Sequence, residues 1–419
     1  MVRRRHLVSR LEAAGFDVTR APGFSEASFI IERLIDTAAR ECGFDPADLR
    51  RLNLFKAADM PVTNALGETI DSGDFTACLD RVLERADMAG LAARRAQSMA
   101  RGRLRGFGLA CHIKATGGSP HENVEIRFEQ DGTVTLITGT QTIGQGHETS
   151  FPQIVSTLLG VPDHIVHLVD GDTDRIATGG GHGSSRSTYM AGTSMWRASR
   201  ETIAKARDVA AEELEAARDD VRFEDGCLVV AGTDRSIGLL DVAAIARQAG
   251  ASLDTYNHWT RDHMTFPNGA HAVEIEIDPD TGKMRVDRYT LVDDYGVLVN
   301  PMLVEGQVHG GVAQGIGQAI TEHVVYDDDG QLLSASFMDY AMPRADDIPM
   351  VPFTSEPVLS TANYIGMKGC GEAGTVGALA AVTNAVLDAV WDRGVVRVDM
   401  PATPLRVWNW LQAAKTAAE

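Results

Sequence analysis

Two stretches far apart in this chain follow the same rule. Residues 122–140, ENVEIRFEQDGTVTLITGT, and residues 272–292, AVEIEIDPDTGKMRVDRYTLV, alternate apolar and polar side chains, turn at Asp-Gly or Asp-Thr-Gly, and alternate again. Period-two alternation marks a strand with one buried face, and a glycine turn between two such runs predicts a hairpin. Each hairpin is followed by a glycine-rich loop and a helical pattern, so the chain reads as two similar halves, 104–256 and 265–419. Residues 1–103 have a helical texture. The expected fold is α+β, with two mixed subdomains whose hairpin-rich sheets are packed by helices, and not a doubly wound parallel sheet.

Within the first segment, Ile30, Ile31, Leu34, Ile35 and Ala38 recur at helical spacing before Gly43, which predicts a helix with one buried apolar face. Shorter helices are expected over GFDPADLRRLNLF and SGDFTACLDRVLERA, and a longer one over DMAGLAARRAQSMARGRL. PATPLRVWNWLQAAKTAAE closes the chain as another helix. No apolar run of the ~20 residues needed for a membrane span is expected.

Charge and cysteine usage remove several function classes. A formal charge of −19 argues against a general nucleic-acid binder, which needs a basic surface to displace counterions from phosphates. Cys42, Cys78, Cys111, Cys227 and Cys370 are widely spaced, with no CxxC pair. That predicts a reducing, cytoplasmic setting and no metal held by this chain's thiolates. The arginine run at Arg3–Arg5 resembles an export signal but lacks the apolar segment that should follow.

Three glycine-rich stretches lead toward helical patterns: TIGQGHETSFPQIVSTLLG from Thr142, EGQVHGGVAQGIGQAI from Glu305, and KGCGEAGTVGALAAVTNAV from Lys368. Backbone N–H groups in such loops can approach an anion closely, and the following helix favours negative charge there. Tight turns and close helix packing explain the same glycines. None of the three matches the Walker or dinucleotide fingerprint. A fourth segment, GDTDRIATGGGHGSSRSTYMAG from Gly171, adds Ser185, Arg186 and Ser187 as donors suited to phosphate oxygens. Gln145 and Gln314 recur in similar places and offer amides to a polar heterocycle. His121 and His147 lack metal-ligand spacing, and Asp293 and Asp294 are read as structural.

Glu372 lies among glycine and alanine neighbours that cannot shield it. In a dry pocket its pKa should rise, which suits a general base. An acid stabilising a helix N-terminus accounts for it equally well.

Taken together, RAPGFSEASFIIERLID, GTQTIGQGHETSFPQIVSTLLGV, GDTDRIATGGGHGSSRSTYMAG, VEGQVHGGVAQGIGQAI, FMDYAMPRADDIP and GMKGCGEAGTVGA resemble the molybdenum-binding large subunit of the xanthine dehydrogenase and aldehyde oxidase family of molybdopterin hydroxylases. The resemblance runs from about Arg20 to the C-terminus. It implies that Glu372 is the base in a hydroxylation whose oxygen comes from water. It also implies that Arg20, Ala21, Ile143, Gly144, Gln145, Gly146, Ser185, Arg186, Ser187, Gln314 and Gly371 contact the cofactor. The metal would be held by the pterin dithiolene and the cofactor would be the cytosine dinucleotide form, with iron–sulfur clusters and FAD on partner subunits.

The family's first molybdenum-binding domain, with its GGGFGG loop, has no counterpart here. The expected partners are therefore a polypeptide carrying that N-terminal half, an iron–sulfur subunit and an FAD subunit. A cofactor-free remnant or scaffold is the alternative. Members that oxidise carbon monoxide carry a copper-binding cysteine after the arginine turn, whereas this chain has Ala21. An aldehyde or N-heterocycle is the expected substrate class.

Overall fold

The computed structural model describes residues 20–176 and 178–418; the arginine run at Arg3–Arg5 lies outside them. The N-terminal helices are α1 (Phe24–Cys42), α2 (Pro46–Asn53), α3 (Phe75–Arg85) and α4 (Leu91–Ala100), with a small ribbon of β1 (Val62–Thr63) and β2 (Thr69–Ile70) between α2 and α3. Asp45 caps α2 and Asp74 caps α3, each accepting from backbone N–H groups of the first turn.

The first half contains β3 (Leu104–Ile113), β4 (His121–Phe128), β5 (Val134–Thr138), α5 (His147–Leu159), β6 (Val166–Val169) and α6 (Ser187–Glu213). These are followed by a three-stranded sheet of β7 (Val221–Glu224), β8 (Cys227–Val230) and β9 (Ser236–Gly238), then α7 (Leu239–Gln248) and β10 (Thr255–Thr260). The second half contains β11 (Asn268–Ile277), β12 (Met284–Asp294), α8 (Pro301–Ile316), α9 (Ala373–Trp391) and α10 (Pro404–Ala418).

Both expected hairpins form. β4 and β5 pair antiparallel through a turn at Gly132, which adopts φ 85, and β11 and β12 pair through a turn at Gly282, with φ 70. The division at residue 104 is different, however. β3 does not join the first sheet, whose order is β10-β4-β5-β6; it pairs along its length with β11, giving a second sheet ordered β12-β11-β3. Its glycines explain why. A Cβ on Gly106 or Gly108 would collide with backbone of α9, so β3 is the strand on which that helix can lie flat.

α9 is the central element of the second core and is buried along nearly its whole length. Its 19 residues make it long and apolar enough, by composition, to cross a membrane, which corrects the expectation that no such run exists. Here its apolar side chains pack against sheet and helix, each buried Val or Leu contributing ~1.5–3 kcal/mol. α8 crosses it closely, since a Cβ on Gly311 would stand 2.9 Å from the Thr375 nitrogen and one on Gly315 would collide with Ala378. Gly311 and Gly315, read as part of a loop beginning at Glu305, are thus helix-interior glycines that permit helix contact.

α1 forms where expected and ends on Gly43 in the left-handed region, but it faces the other way. Ile30, Ile31 and Leu34 are 64%, 56% and 68% exposed, while Glu32 and Asp36 are buried. Ion pairs explain the inversion: Glu32 meets the fully buried Arg50 at 2.6 Å, and Arg40 links Asp36 to Asp388 of α9 at 2.9 and 3.0 Å.

Candidate active site

The two halves enclose a cavity of ≈ 470 Å³, within the range of about 300–1,000 Å³ usual for small-molecule sites. One wall is the loop entering α5, a second is the loop entering α6, and a third comprises the approach to α8 together with part of that helix. The segment from Met367 to Glu372 closes it, with Arg20 at the edge.

Glu372 stands at the N-terminus of α9, but its side chain does not cap that helix. Oε1 accepts the Ala21 N–H at 2.9 Å, and Oε2 accepts the Ser185 hydroxyl at 3.0 Å and meets the Lys114 ammonium at 2.5 Å. Burial alone would raise the carboxyl's pKa, but the Lys114 charge and hydrogen bond, with those from Ala21 and Ser185, hold it below the ordinary carboxylate range. This reverses the expected upward shift. Glu372 is an anion on the cavity wall, and burial pulls Lys114 below the usual lysine range while Glu372 opposes the change.

Of the residues singled out in the sequence, Arg20, Ile143, Gly144, Gln145, Ser185, Ser187, Gln314, Gly371 and Glu372 line the cavity. Arg20 donates to the Gly371 carbonyl at 2.8 Å and to the Gln307 carbonyl at 3.0 Å, tying α8 to the Glu372 loop. Gln145 also braces its own loop, donating to the Gln141 carbonyl at 3.0 Å. Gln314 projects from within α8, not from a loop.

Ala21, Gly146 and Arg186 are not on the wall. Ala21 is buried at φ 51 and directs its N–H at Glu372. Gly146 ends the loop beneath Leu303, which its Cβ would strike at 2.8 Å. Arg186 corrects the expectation of a phosphate contact: it is buried, pairs with Glu122 at 2.9 Å, and donates to the carbonyls of Ser119, Gly181 and His121. A buried guanidinium with those partners holds the loop together and turns away from any ligand.

Several groups at the site were not assigned to it from the sequence. Gln307 lies two turns before Gln314 on the same face of α8, a spacing visible only once the segment is known to be helical. His147 opens α5, stacked on Phe151 at 4.3 Å, and burial lowers its pKa to about 4. Cys370 is a wall residue whose thiol burial pushes up to about 11. Lys114 is not itself on the wall; it follows directly on β3 and reaches the site through its contact with Glu372.

Behind Tyr295, another wall residue, lies a buried polar group. Asp293 Oδ1 is 3.1 Å from His112 Nε2 and 3.4 Å from His271 Nε2, and Oδ2 accepts from the Tyr295 hydroxyl at 2.5 Å. Among the described residues this trio alone has donor atoms close enough for a metal. His112 hydrogen-bonds Asp293 and His271 Nδ1 bonds the Tyr289 hydroxyl, while His271 Nε2 has no hydrogen-bond partner among the described residues; burial's upward push on Asp293 is outweighed by the two imidazoles, which hold it well below the usual range.

The cavity's chemistry suits a large polar cofactor. Gly144 and Gly183 have φ 101 and 125 with nothing within 4 Å of a built Cβ, so backbone lies open to a ligand. Hydroxyls of Ser185 and Ser187 and the amides of Gln307 and Gln314 add donors and acceptors. These features define a protein that seats such a group beside an ionised acid. Comparison with known proteins gives the family. The chain belongs to the molybdopterin cofactor-binding domain family, whose sequence model matches residues 81–349, within the molybdenum-binding large subunits of the xanthine dehydrogenase family.

A second model of the same description matches residues 8–54, so the similarity reaches back past Arg20. The gamma subunit of the 6-hydroxypseudooxynicotine dehydrogenase complex of Paenarthrobacter nicotinovorans is 36% identical, over 95% of this chain and 52% of its own length. The carbon monoxide dehydrogenase large chain of Hydrogenophaga pseudoflava is 34% identical, over 93% and 51%. The crystal structure of quinoline 2-oxidoreductase from Pseudomonas putida 86 superposes with a TM-score of 0.88 at 34% identity, covering 94% of this chain and 53% of that one. The chain spans about half the length of the curated relatives it matches.

Proposed function

We propose that this chain contributes the molybdopterin cavity and the general base, Glu372, of a hydroxylase that oxidises an N-heterocycle or an aldehyde with oxygen from water. The observation that carries the reading is an ionised carboxylate on a cavity wall built from open backbone, hydroxyls and amides. When bound, the cofactor supplies a two-electron redox centre. Gly144, Ser187, Gln307 and Gln314 would hold it through backbone and polar side chains, and Glu372 would accept a proton. The cytosine dinucleotide form fits a cavity walled by two loops that lead into helices.

Two of the relatives named above act, by their names, on 6-hydroxypseudooxynicotine and quinoline, which favours the heterocycle within this class. Carbon monoxide is disfavoured, because Ala21 offers no thiol for copper. Partner polypeptides bearing the family's first molybdenum-binding domain, iron–sulfur clusters and FAD complete the proposal, and the outward apolar face of α1 is suited to receive one of them.

The test is purification with co-purifying polypeptides, followed by molybdenum analysis and turnover on a panel of N-heterocycles and aldehydes. Glu372→Gln should keep the metal and lose ~10²–10⁴-fold in turnover. Full activity in that variant, or a complex devoid of molybdenum, would remove the reading.

A further inference from the structure

Lys114 is buried, yet its ammonium has a defined environment. Nζ lies 2.5 Å from Glu372 Oε2, donates to Ser184 Oγ at 3.1 Å, and sits 5.5 Å from the centre of the Phe24 ring. Ser184 is fixed in turn by the Gly117 N–H at 2.8 Å. Ser184 and Ser185 both adopt positive φ, 50 and 57, a conformation that non-glycine residues seldom take. The consequence is a two-hydroxyl clamp, in which Ser184 holds the ammonium and Ser185 holds the carboxylate.

We propose that Lys114 is the positioning residue for Glu372, keeping the carboxylate in one orientation and in its proton-accepting form and so setting the acid limb of the enzyme's pH profile. This rests on the reading of Glu372 as the base. A carboxylate offers about four acceptor sites. Lys114 and Ser185 occupy Oε2 and the Ala21 N–H takes one site on Oε1, which leaves a single site on Oε1 for an incoming proton.

Other charged groups near the pair are differently placed. Arg20, from the N-terminal segment, directs Nε and Nη2 at Gly371 and Gln307 and not at the carboxylate. Arg261, beyond β10, bonds to the carbonyls of Gly117, Gly118 and Ser119 and acts on Lys114 only through space. Cys370, one residue before Gly371, remains a neutral thiol. Lys114 is therefore the cation in direct contact with Glu372.

The test needs no loaded cofactor. A pH titration by difference infrared spectroscopy, each chain against its own Glu372→Gln version, isolates the Glu372 carboxyl band. In Lys114→Met the protonated band should appear at least ~1 pH unit higher than in wild type, a tenfold change in proton affinity, and Lys114→Arg should restore the wild-type midpoint. An unchanged midpoint in Lys114→Met overturns the proposal.

Melting temperatures provide a second measurement if the methionine variant folds poorly. Lys114→Gln should lower the melting temperature more in wild type than in the Glu372→Gln background, and an equal loss in both would mean a purely structural lysine. In the assembled enzyme the acid limb of kcat/KM should move upward with the infrared midpoint, and a fixed limb overturns the proposal. An active Glu372→Gln enzyme overturns the base reading, and with it the catalytic part of Lys114, even with the infrared shift intact. The two failures are thus distinguishable.

Discussion

Lys368 Nζ donates to Asp294 Oδ2 at 2.5 Å in a place where neither side chain reaches solvent. Asp294 also accepts the N–H groups of Gly296 and Val358 at 2.9 and 3.0 Å, and Lys368 reaches the Ser72 carbonyl at 3.2 Å. The pair joins the end of β12, the segment before α9 and the turn before α3. Removing one partner leaves the other as a lone buried charge, which typically costs ~3–5 kcal/mol. Asp294→Ala should therefore lower the urea midpoint by that equivalent, and Asp294→Asn combined with Lys368→Met, which removes both charges but keeps an acceptor for Gly296 and Val358, should lose less than Asp294→Ala.

Gly315 offers a case in which two effects oppose each other. Alanine in a helix interior is favoured over glycine by ~1 kcal/mol, so propensity predicts that Gly315→Ala stabilises the protein. Its Cβ would collide with that of Ala378, which is fixed to the backbone of α9 and cannot swing aside. Packing should win, with a net loss of about 1–3 kcal/mol. Chemical denaturation decides the sign, and a gain would mean that α8 shifts freely on α9.

The stability of the chain should depend on pH through His147. Burial lowers its folded pKa from 6.5 to about 4, so between those values the unfolded chain binds more protons. Stability contributed by the neutral ring is complete above pH 6.5 and is lost as pH falls toward 4, reaching about 3 kcal/mol. Urea midpoints of wild type and His147→Gln measured across this range should converge on acidification. Parallel curves would show that the ring protonates without penalty.

Ile31, on the outward face of α1, separates folding from association. Ile31→Glu should change folding stability by less than ~0.5 kcal/mol, as for other exposed positions. The same variant should reduce recovery of co-purifying polypeptides. Undiminished recovery would show that this face is not where a partner docks.

Hairpins and helix ends were legible because local chemistry determines them. Gly132 and Gly282 turn the two ribbons, and Gly43 terminates α1 with a positive φ that glycine adopts without penalty. The facing of α1 was not legible, because periodicity reveals a stripe without revealing its partner. Glu32 pairs with Arg50, and Arg40, bonded to Asp36 one turn away, reaches Asp388, and these contacts beyond the helix turn the charged side inward. Helix α8 was missed for a related reason: its glycines lower helix propensity, and contact with Gly374 and Ala378 accounts for Gly311 and Gly315. At the site, Glu372 stood out by its unshielded neighbours. Lys114 acquires meaning only when β3 carries it across to α9, and that contact reversed the expected ionisation of Glu372.

Arg20 and Gly371 meet across a sequence separation of 351, and Ala21 spans the same interval to reach Glu372. Contacts of such long separation form late, since the intervening chain must first be closed into a loop. During synthesis the loop entering α5 is available long before Glu372 has left the ribosome. The cavity consequently has no complete wall until Glu372 has emerged. A group that needs every wall of the cavity cannot be seated before the Met367–Glu372 segment is made, because that segment supplies its last side.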